Sequence, residues 1–401
     1  MKESKIVSRE YEKRIEMKYG CNPNQKPAAI YFTPNKKLPF EVLNGNPGYI
    51  NYCDALNAWQ LVRELRAGLN LPAAASFKHV SPAGAAVGIE LSELDRQVYD
   101  CVGLELSPLA SAYVRARGAD PMSSFGDFIA LSDKVDISTA RIIAGVISDG
   151  LIAPDYEPAA LKLLAAKKNG AYPVIKMDPD YRPAEMEYRD IFGITLAQRR
   201  NDAVIDKSIL NNIVTKNKHV PDSAVVDMIV TTVAVKYTQS NSVGYGLNGQ
   251  IIGLGAGQQS RVDCVKLAGR KVETWYLRRH PKVLSLPFKD QIKRQERVNT
   301  RVRYIEADMT EDERAAFNQN FTSPVPELSM RERKKWLAGL ERVSISSDAF
   351  FPFRDSIDQA SKRGVKYIVQ TGGSLREDEV IAAADEYGMV MALSGIRLFH
   401  H

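Results

Sequence analysis

Cysteine and histidine are scarce in this chain. Its 401 residues include four cysteines and five histidines. The cysteines stand at Cys21, Cys53, Cys101 and Cys264, with no pair at CxxC spacing and none beside a histidine. Zinc sites and secreted disulfide frameworks therefore have no sequence support. Long apolar runs are missing too. The most apolar stretch, Val225 to Val235, carries Asp227 and falls short of the ~20 residues a membrane helix needs. The opening Met1-Lys2-Glu3-Ser4-Lys5 is charged and lacks an apolar h-region, so a reducing cytoplasm is the expected compartment. No basic run is long enough to serve as a nucleic-acid arm. The densest cluster, Arg331 to Lys335, is broken by Glu332 and reads as a helix face. Lys and Arg exceed Asp and Glu by 54 to 48, a net charge of +6, which suits an ordinary solvated surface or anionic small molecules.

What is present is ordinary for a globular protein: 44% apolar and 25% charged residues, 26 Gly and 20 Pro. The length suggests two to three domains. Asn-, Pro- and Gly-rich turn signals fill the first fifty residues. Ala58, Leu61, Val62 and Leu65 then form one apolar stripe of a helix over Asp54 to Arg66. Ala73 to Phe77 reads as a buried strand ending at Lys78-His79, with Ser81-Pro82-Ala83-Gly84 as its breaker. Arg141 to Ile147 reads as a strand, Pro158 to Lys168 as a helix and Pro173 to Lys176 as a strand. Residues 191–222 and 287–342 are charged and helix-compatible, and are read as a helical insertion. The tail returns to strand (Val365 to Val369), helix (Glu377 to Tyr387) and strand (Met389 to Leu393). Ala74 to His79 and Thr232 to Tyr237 both read as strands ending in Lys-aromatic, a faint internal echo. The alternation indicates an α/β protein.

Several constellations have the composition of a site. Lys78-His79 at a strand end joins a group that accepts a proton near neutral pH to a fixed cation; the plain alternative is a surface lysine and a hydrogen-bonded histidine. Gly253-Leu-Gly255-Ala-Gly257-Gln-Gln-Ser260-Arg261 is glycine-rich, but its third Gly comes one residue early for GxGxxG and no GK[ST] follows. It reads either as a ligand loop with Arg261 forking onto an anion or as a structural turn. Tyr237 to Ser242 offers Asn241 for an oxyanion or a helix cap. Ser123 to Asp127 and Ser148-Asp149-Gly150 are polar loops or plain turns. Phe350, Phe351 and Phe353 could cover a flat heterocycle or fill a core.

Taken together, these segments resemble the formyltransferase half of the bifunctional purine-biosynthesis enzymes, which formylate aminoimidazole carboxamide ribonucleotide (AICAR) and close the ring to IMP. The matching text runs in order from about residue 15 to 401. It includes Tyr19-Gly-x-Asn-Pro, Val42-Leu-Asn-Gly-x-Pro-Gly, Cys53-Asp-Ala-Leu-Asn-Ala-Trp-Gln-Leu and Phe77-Lys-His-Val-Ser-Pro-Ala-Gly-Ala-Ala-Val-Gly. Met122-Ser-Ser-Phe-Gly-Asp-Phe, Ser240-Asn-Ser, Gly255-Ala-Gly-Gln-Gln-Ser-Arg261, Asp348-Ala-Phe-Phe-Pro-Phe-Arg-Asp355 and the terminal Arg397-Leu-Phe-His-His follow.

The resemblance implies two cytidine-deaminase-like α/β/α units with a helical subdomain. The first unit would span residues 1–190, the helical piece 191–222 and 287–342, and the second unit 223–286 and 343–401. It implies a homodimer acting on AICAR with 10-formyltetrahydrofolate as co-substrate. No catalytic metal is expected, since the HxE and PCxxC zinc signature of deaminases is missing, though a monovalent cation has room in the reading. No nucleic-acid or membrane partner is expected. By the resemblance His79 is the proton acceptor, with Lys78 and Asn241 as polar partners in catalysis. Nucleotide contacts fall on Lys18, Tyr19, Asn51, Gly126, Asp149, Arg261, Phe350 and Arg397, and folate contacts on Val262, Phe353, Asp355, Ser374 and Leu375. The alternative is a catalytically weak homologue that binds nucleotide or folate. Two departures stand out. Lys18 and Asn24 replace the family's usual Arg and His; Lys keeps the charge but loses the bidentate fork. About fifteen residues precede the match, so the expectation is a stand-alone transferase, with a separate protein as IMP cyclohydrolase.

Overall fold

The computed structural model describes residues 6–401. Strands β1 (Glu12–Met17), β2 (Ala28–Phe32) and β3 (Phe40–Asn44) lead into helix α1 (Tyr49–Leu69) and the hairpin β4 (Ala73–Lys78) and β5 (Ser81–Val87). Helices α2 (Glu93–Val98) and α3 (Pro108–Ala119) precede β6 (Asp127–Leu131), α4 (Ile137–Ala144), β7 (Ser148–Ala153), α5 (Pro158–Ala165) and β8 (Val174–Met177). An outlying hairpin, β9 (Met186–Ile191) and β10 (Ile194–Arg199), comes before α6 (Asp222–Lys236) and a second hairpin, β11 (Val243–Leu247) and β12 (Gln250–Gly255). Then come α7 (Arg261–Leu277), α8 (Pro281–Leu284), α9 (Arg294–Glu306), α10 (Glu311–Asn318) and α11 (Met330–Leu337). The chain closes with β13 (Val343–Ser347), α12 (Asp355–Ser361), β14 (Val365–Gln370), α13 (Glu377–Glu386) and β15 (Val390–Leu393).

Eleven of these strands form one mixed sheet in the order β15-β14-β13-β11-β12-β5-β4-β6-β7-β8-β3, so the fold is α/β. Its two halves repeat one plan. A hairpin, β4–β5 or β11–β12, is followed by a strand antiparallel to the hairpin's first arm, β6 or β13. Two parallel strands complete each half, β7 and β8 or β14 and β15. The halves meet where Gln250 pairs with Ala86. Helices correspond as well: α1 and α6 precede the hairpins, and α3 and α7 follow them. α1 and α6 pack on one core with Trp59, Leu61, Leu65, Met228, Ile229 and Val233. α3 to α5 and α7, α12 and α13 bury separate cores.

Glycines in the second arm of each hairpin let the following helix approach. A Cβ at Gly84 would lie 2.1 Å from the Ala116 carbonyl, one at Gly253 2.4 Å from that of Ala268 and one at Gly255 2.5 Å from that of Cys264. Gly253 and Gly255 therefore serve the packing of β12 on α7, and the ligand-loop reading of those two positions does not hold.

The structure differs from the sequence reading at four places. Thr232 to Tyr237 is the end of helix α6 and the following residue, so the Lys-aromatic echo is false. The true counterpart of β4 is β11. The β-branched residues of α6 favour a strand locally, but a helix apolar on all sides is stable once buried all round, as Ala224 to Lys236 are except Val226. Arg141 to Ile147 belongs mainly to α4, whose start is set by the Asp136 carboxylate accepting from Thr139 N at 2.7 Å. Ser81 to Gly84 continues as strand β5, and the break comes earlier, at His79-Val80. Residues 191–222 hold strand β10 and a short 3-10 turn rather than an α-helix. The helical expectation for 287–342 agrees with α9 to α11, which bury Tyr304, Ile305, Phe317 and Phe321.

Candidate active site

The hairpin β4–β5 turns through two residues, His79 at φ 54 and Val80 at φ 60. Two-residue hairpins want both residues left-handed, which suits Asn-Gly and penalises a β-branched residue. The corresponding hairpin β11–β12 turns through Asn248 at φ 53 and Gly249 at φ 71, the residues such a turn favours. The first half thus holds His and Val in a conformation that costs ~1–3 kcal/mol for each such residue. A buried carboxylate offsets part of that cost. Asp54 of α1, 8% exposed, accepts the Val80 N–H at 2.7 Å, and it also accepts from the His79 backbone. Asp227 of α6 does the same for Asn248 and Gly249. Burial pushes the Asp54 carboxyl above the usual carboxylate range, against the two turn N–H groups and the nearby His79, while Asp149 adds to the rise.

Lys78 points from this turn toward the loop before β6. Lys78 Nζ donates to the Phe125 carbonyl at 2.6 Å. Gly126, at φ 73, follows, and a Cβ on it would lie 3.9 Å from Asp149 Oδ2. Gly126 N donates to the Ile147 carbonyl at 3.2 Å. Asp149 is half-exposed and pairs with Lys168 at 2.8 Å. Lys78, His79, Gly126 and Asp149 are therefore brought together, with Asp54 behind them. Asn51, in the first turn of α1, accepts from Gly48 N at 2.9 Å. The loop after β1 carries exposed Lys18 and half-buried Tyr19. Cys21 of that loop lies close enough to Tyr49 and Cys53 for its thiol charge to raise their pKa values. The loop that carries Lys18 and Tyr19 thus approaches the start of α1 at Cys21.

A second cluster comes from the other half. Asp348 accepts from Ser240 Oγ at 2.7 Å, Ser242 N at 3.0 Å and Arg261 Nη1 at 2.6 Å. Arg261 is buried, and its Nη2 donates to Asn241 Oδ1 at 3.0 Å. Asn241 Nδ2 donates to the Gln259 carbonyl at 3.2 Å. Arg261 therefore offers no open fork to an anion; in this geometry it steadies Asn241. Its neighbour Val262 is the second residue of α7. The Ser240–Asn241 peptide is cis. Gln239 N donates to Ser81 Oγ at 3.3 Å, which ties this cluster to the His79 turn.

The remaining residues ring the second cluster. Leu398 N donates to the Asp348 carbonyl at 2.8 Å, and Ser240 N to that of His400 at 3.0 Å. These bonds fix the tail, and exposed Arg397 leans over Phe399 with its guanidinium 5.0 Å from the ring centre. Phe351 N donates to Gln370 Oε1 at 2.7 Å and its ring is buried, so of the three phenylalanines it is the core residue. Phe350 and Phe353 are exposed. Arg376, next in the chain to Ser374 and fully exposed Leu375, lies 5.2 Å over the Phe353 ring, and Asp355 opens α12 two residues after Phe353. No contact in the described residues joins this group directly to Lys78 or His79.

Sequence reasoning missed Asp54 and Asp348, although both lie inside quoted blocks. The available signal was a carboxylate in an apolar helix stripe, Asp54, and one in an apolar strand end, Asp348. Among the described residues no group of three or more His, Cys, Asp or Glu side chains is placed to hold a metal ion, and no helix is long and apolar enough to cross a membrane.

The chain is similar to proteins of one known family. A family profile described as the AICARFT/IMPCHase bienzyme matches residues 1–271. The chain is 32% identical over 400 residues to the bifunctional purine biosynthesis protein PurH of Elusimicrobium minutum, covering all of this chain and 60% of that protein. It is 30% identical over 400 residues to the protein of the same name from Xanthomonas campestris (98% of this chain, 59% of that protein). A third, from Parvibaculum lavamentivorans, is 30% identical over 390 residues (96% and 58%). The chain thus spans about 60% of the length of these relatives. With the profile covering more than half of the chain and the relatives matching nearly all of it, this protein belongs to the AICARFT/IMPCHase bienzyme family.

Proposed function

We propose that the chain transfers the formyl group of 10-formyltetrahydrofolate to the 5-amino group of AICAR, giving the formamido nucleotide and tetrahydrofolate. The observation that carries the reading is the His79 turn: the same hairpin is built from Asn-Gly in one half and from His-Val in the other, and strain of this kind persists where side-chain placement is needed.

The chemistry asks for what this site offers. The 5-amino nitrogen is conjugated with its ring and is a poor nucleophile. As it bonds to the formyl carbon, nitrogen becomes cationic and the carbonyl oxygen gains negative charge. His79, exposed at the turn, takes the proton from nitrogen. Lys78, with one side-chain hydrogen bond among the described residues, to the Phe125 carbonyl, has protons left for the developing oxyanion, and Asn241, steadied by Arg261, orients the carboxamide beside it. The oxyanion's electron pair then re-forms the C=O bond as the C–N10 bond breaks, and N10 takes up the proton that His79 removed and leaves as tetrahydrofolate. Lys18 and Arg397 are exposed cations suited to the phosphate, Tyr19, Asn51, Gly126, Asp149 and Phe350 to the ribose and base. Phe353, Asp355, Val262, Ser374 and Leu375 suit the folate. A cytoplasmic homodimer built from two α/β units and a helical piece, with the boundaries given above, belongs to the same reading.

The test mixes the protein with AICAR and 10-formyltetrahydrofolate and follows tetrahydrofolate release. Turnover is expected, and His79→Ala should lose at least ~100-fold in kcat, the scale of a removed general base. Binding of both ligands without turnover in the wild type would leave the binding-homologue reading in its place. IMP is measured in the same tubes, which reports ring closure separately.

A further inference from the structure

Between α3, α4 and the start of α9 lies a cavity of about 250 Å³, outside the reaction site. Its walls are mostly apolar, including Val98, Val114, Ile142, Val146 and Val298. Four cations, Arg117, Arg278, Lys293 and Arg294, and one carboxylate, Asp100, line it. Two of them have carboxylate partners, Arg117 with Asp127 at 2.6 Å and Arg294 with Asp100 at 3.8 Å. Among the described residues, Arg278 and Lys293 form no ion pair. Arg278 is 6% exposed, with its guanidinium 5.7 Å from the Tyr99 ring centre; Nη1 donates to the Gly118 carbonyl at 2.7 Å, and among the described residues no hydrogen bond uses its other nitrogens. A buried guanidinium without an anion is costly, and burial pulls its pKa down to about 10. Tyr113 adds a second buried polar group to the same wall. Its hydroxyl lies beside Arg117 but makes no hydrogen bond of good geometry.

We propose that this cavity is a second binding site, for a small apolar carboxylate whose anionic end pairs with Arg278 and Lys293 and whose body fills the apolar walls. A guanidinium and an ammonium can pair with the two oxygens of one carboxylate, and the apolar lining disfavours a hydrated dianion such as inorganic phosphate. The Tyr113 hydroxyl supplies a further donor. The site also touches the reaction centre through one carbonyl: Ile147 O accepts from Arg117 Nη2 at 3.1 Å and from Gly126 N at 3.2 Å.

The test titrates the full chain with 2-naphthoate, using 2-naphthalenemethanol as the uncharged analogue. We expect the carboxylate to bind at up to about 1 mM. Lys293→Glu, at the exposed mouth, and Arg278→Met should each weaken it about tenfold, with the alcohol's affinity unmoved and the melting temperature checked for both variants. Should Arg278→Met fail to fold, Lys293→Glu decides alone. No binding at about 5 mM, equal affinity in the folded variants, or displacement of 2-naphthoate by AICAR would overturn the proposal.

Discussion

His79 and Val80 have an internal control. Asn248 and Gly249 occupy the same turn of the repeated plan at nearly the same φ, without the steric penalty. Replacing His79-Val80 by Asn-Gly should therefore raise stability by ~1–3 kcal/mol, as strain is relieved, while formyl transfer falls to the level of His79→Ala. Urea unfolding and turnover, read on the same preparation, check this; an Asn-Gly variant no more stable than wild type would remove the strain argument. Asp54 is a positioning residue by the same comparison. Asp54→Asn keeps one acceptor but sets an amide against a turn N–H, and should cost ~1–3 kcal/mol for the unpaired buried group. Its kcat should drop while KM for AICAR holds, since Asp54 acts through the turn. A rise in KM alone would mean it serves binding instead.

Among the elements, α6 shows how burial overrides local preference. Its β-branched run reads as a strand, yet it lies against α1 and the sheet, apolar nearly all round. Its single carboxylate in that run, Asp227, has a pKa raised to about 6, chiefly by burial and despite the Asn248 and Gly249 N–H groups. The sign follows from linkage. Between the ordinary 3.8 and about 6 the folded state holds a proton that the unfolded state has released, so this group's contribution favours folding more as pH falls through 6 and less above it. Asp227→Asn removes that dependence. Wild type should therefore gain stability relative to Asp227→Asn between pH 7 and pH 5, read from urea midpoints at both values. A constant difference would show that Asp227 ionises normally.

For the whole molecule, the proposed function would give the +6 charge a use in attracting two anionic ligands. The cationic side chains proposed for the phosphate, Lys18 and Arg397, are exposed, so attraction there is screened by salt over ~10 Å at 0.1 M. kcat/KM for AICAR should fall as ionic strength rises from about 0.05 to 0.3 M while kcat holds; a salt-independent kcat/KM would place the phosphate contacts in a buried pocket. The second cavity lies on a different part of the same fold. Its buried Arg278 is carried by the end of α7, on the chain's second half, while its walls come from α3 and α4 of the first half and the start of α9.

The sequence by itself determined the α/β alternation, the Lys78-His79 pair and the blocks that mark the family, because apolar period, turn residues and motif order are local properties of the text. It also showed the helical character of 287–342, where capping boxes at Thr310 and Ser329 are written within four residues. Only the tertiary structure decided the rest. That His79 sits in a strained turn depends on Asp54, 26 positions away from Val80. That Arg261 holds Asn241 rather than a free anion depends on Asp348, 87 positions away. Gly253 and Gly255 look like a ligand loop until α7 is laid against them. In each case the deciding partner is distant in the chain, and burial beside that partner, which no local window reports, sets what the side chain or glycine does.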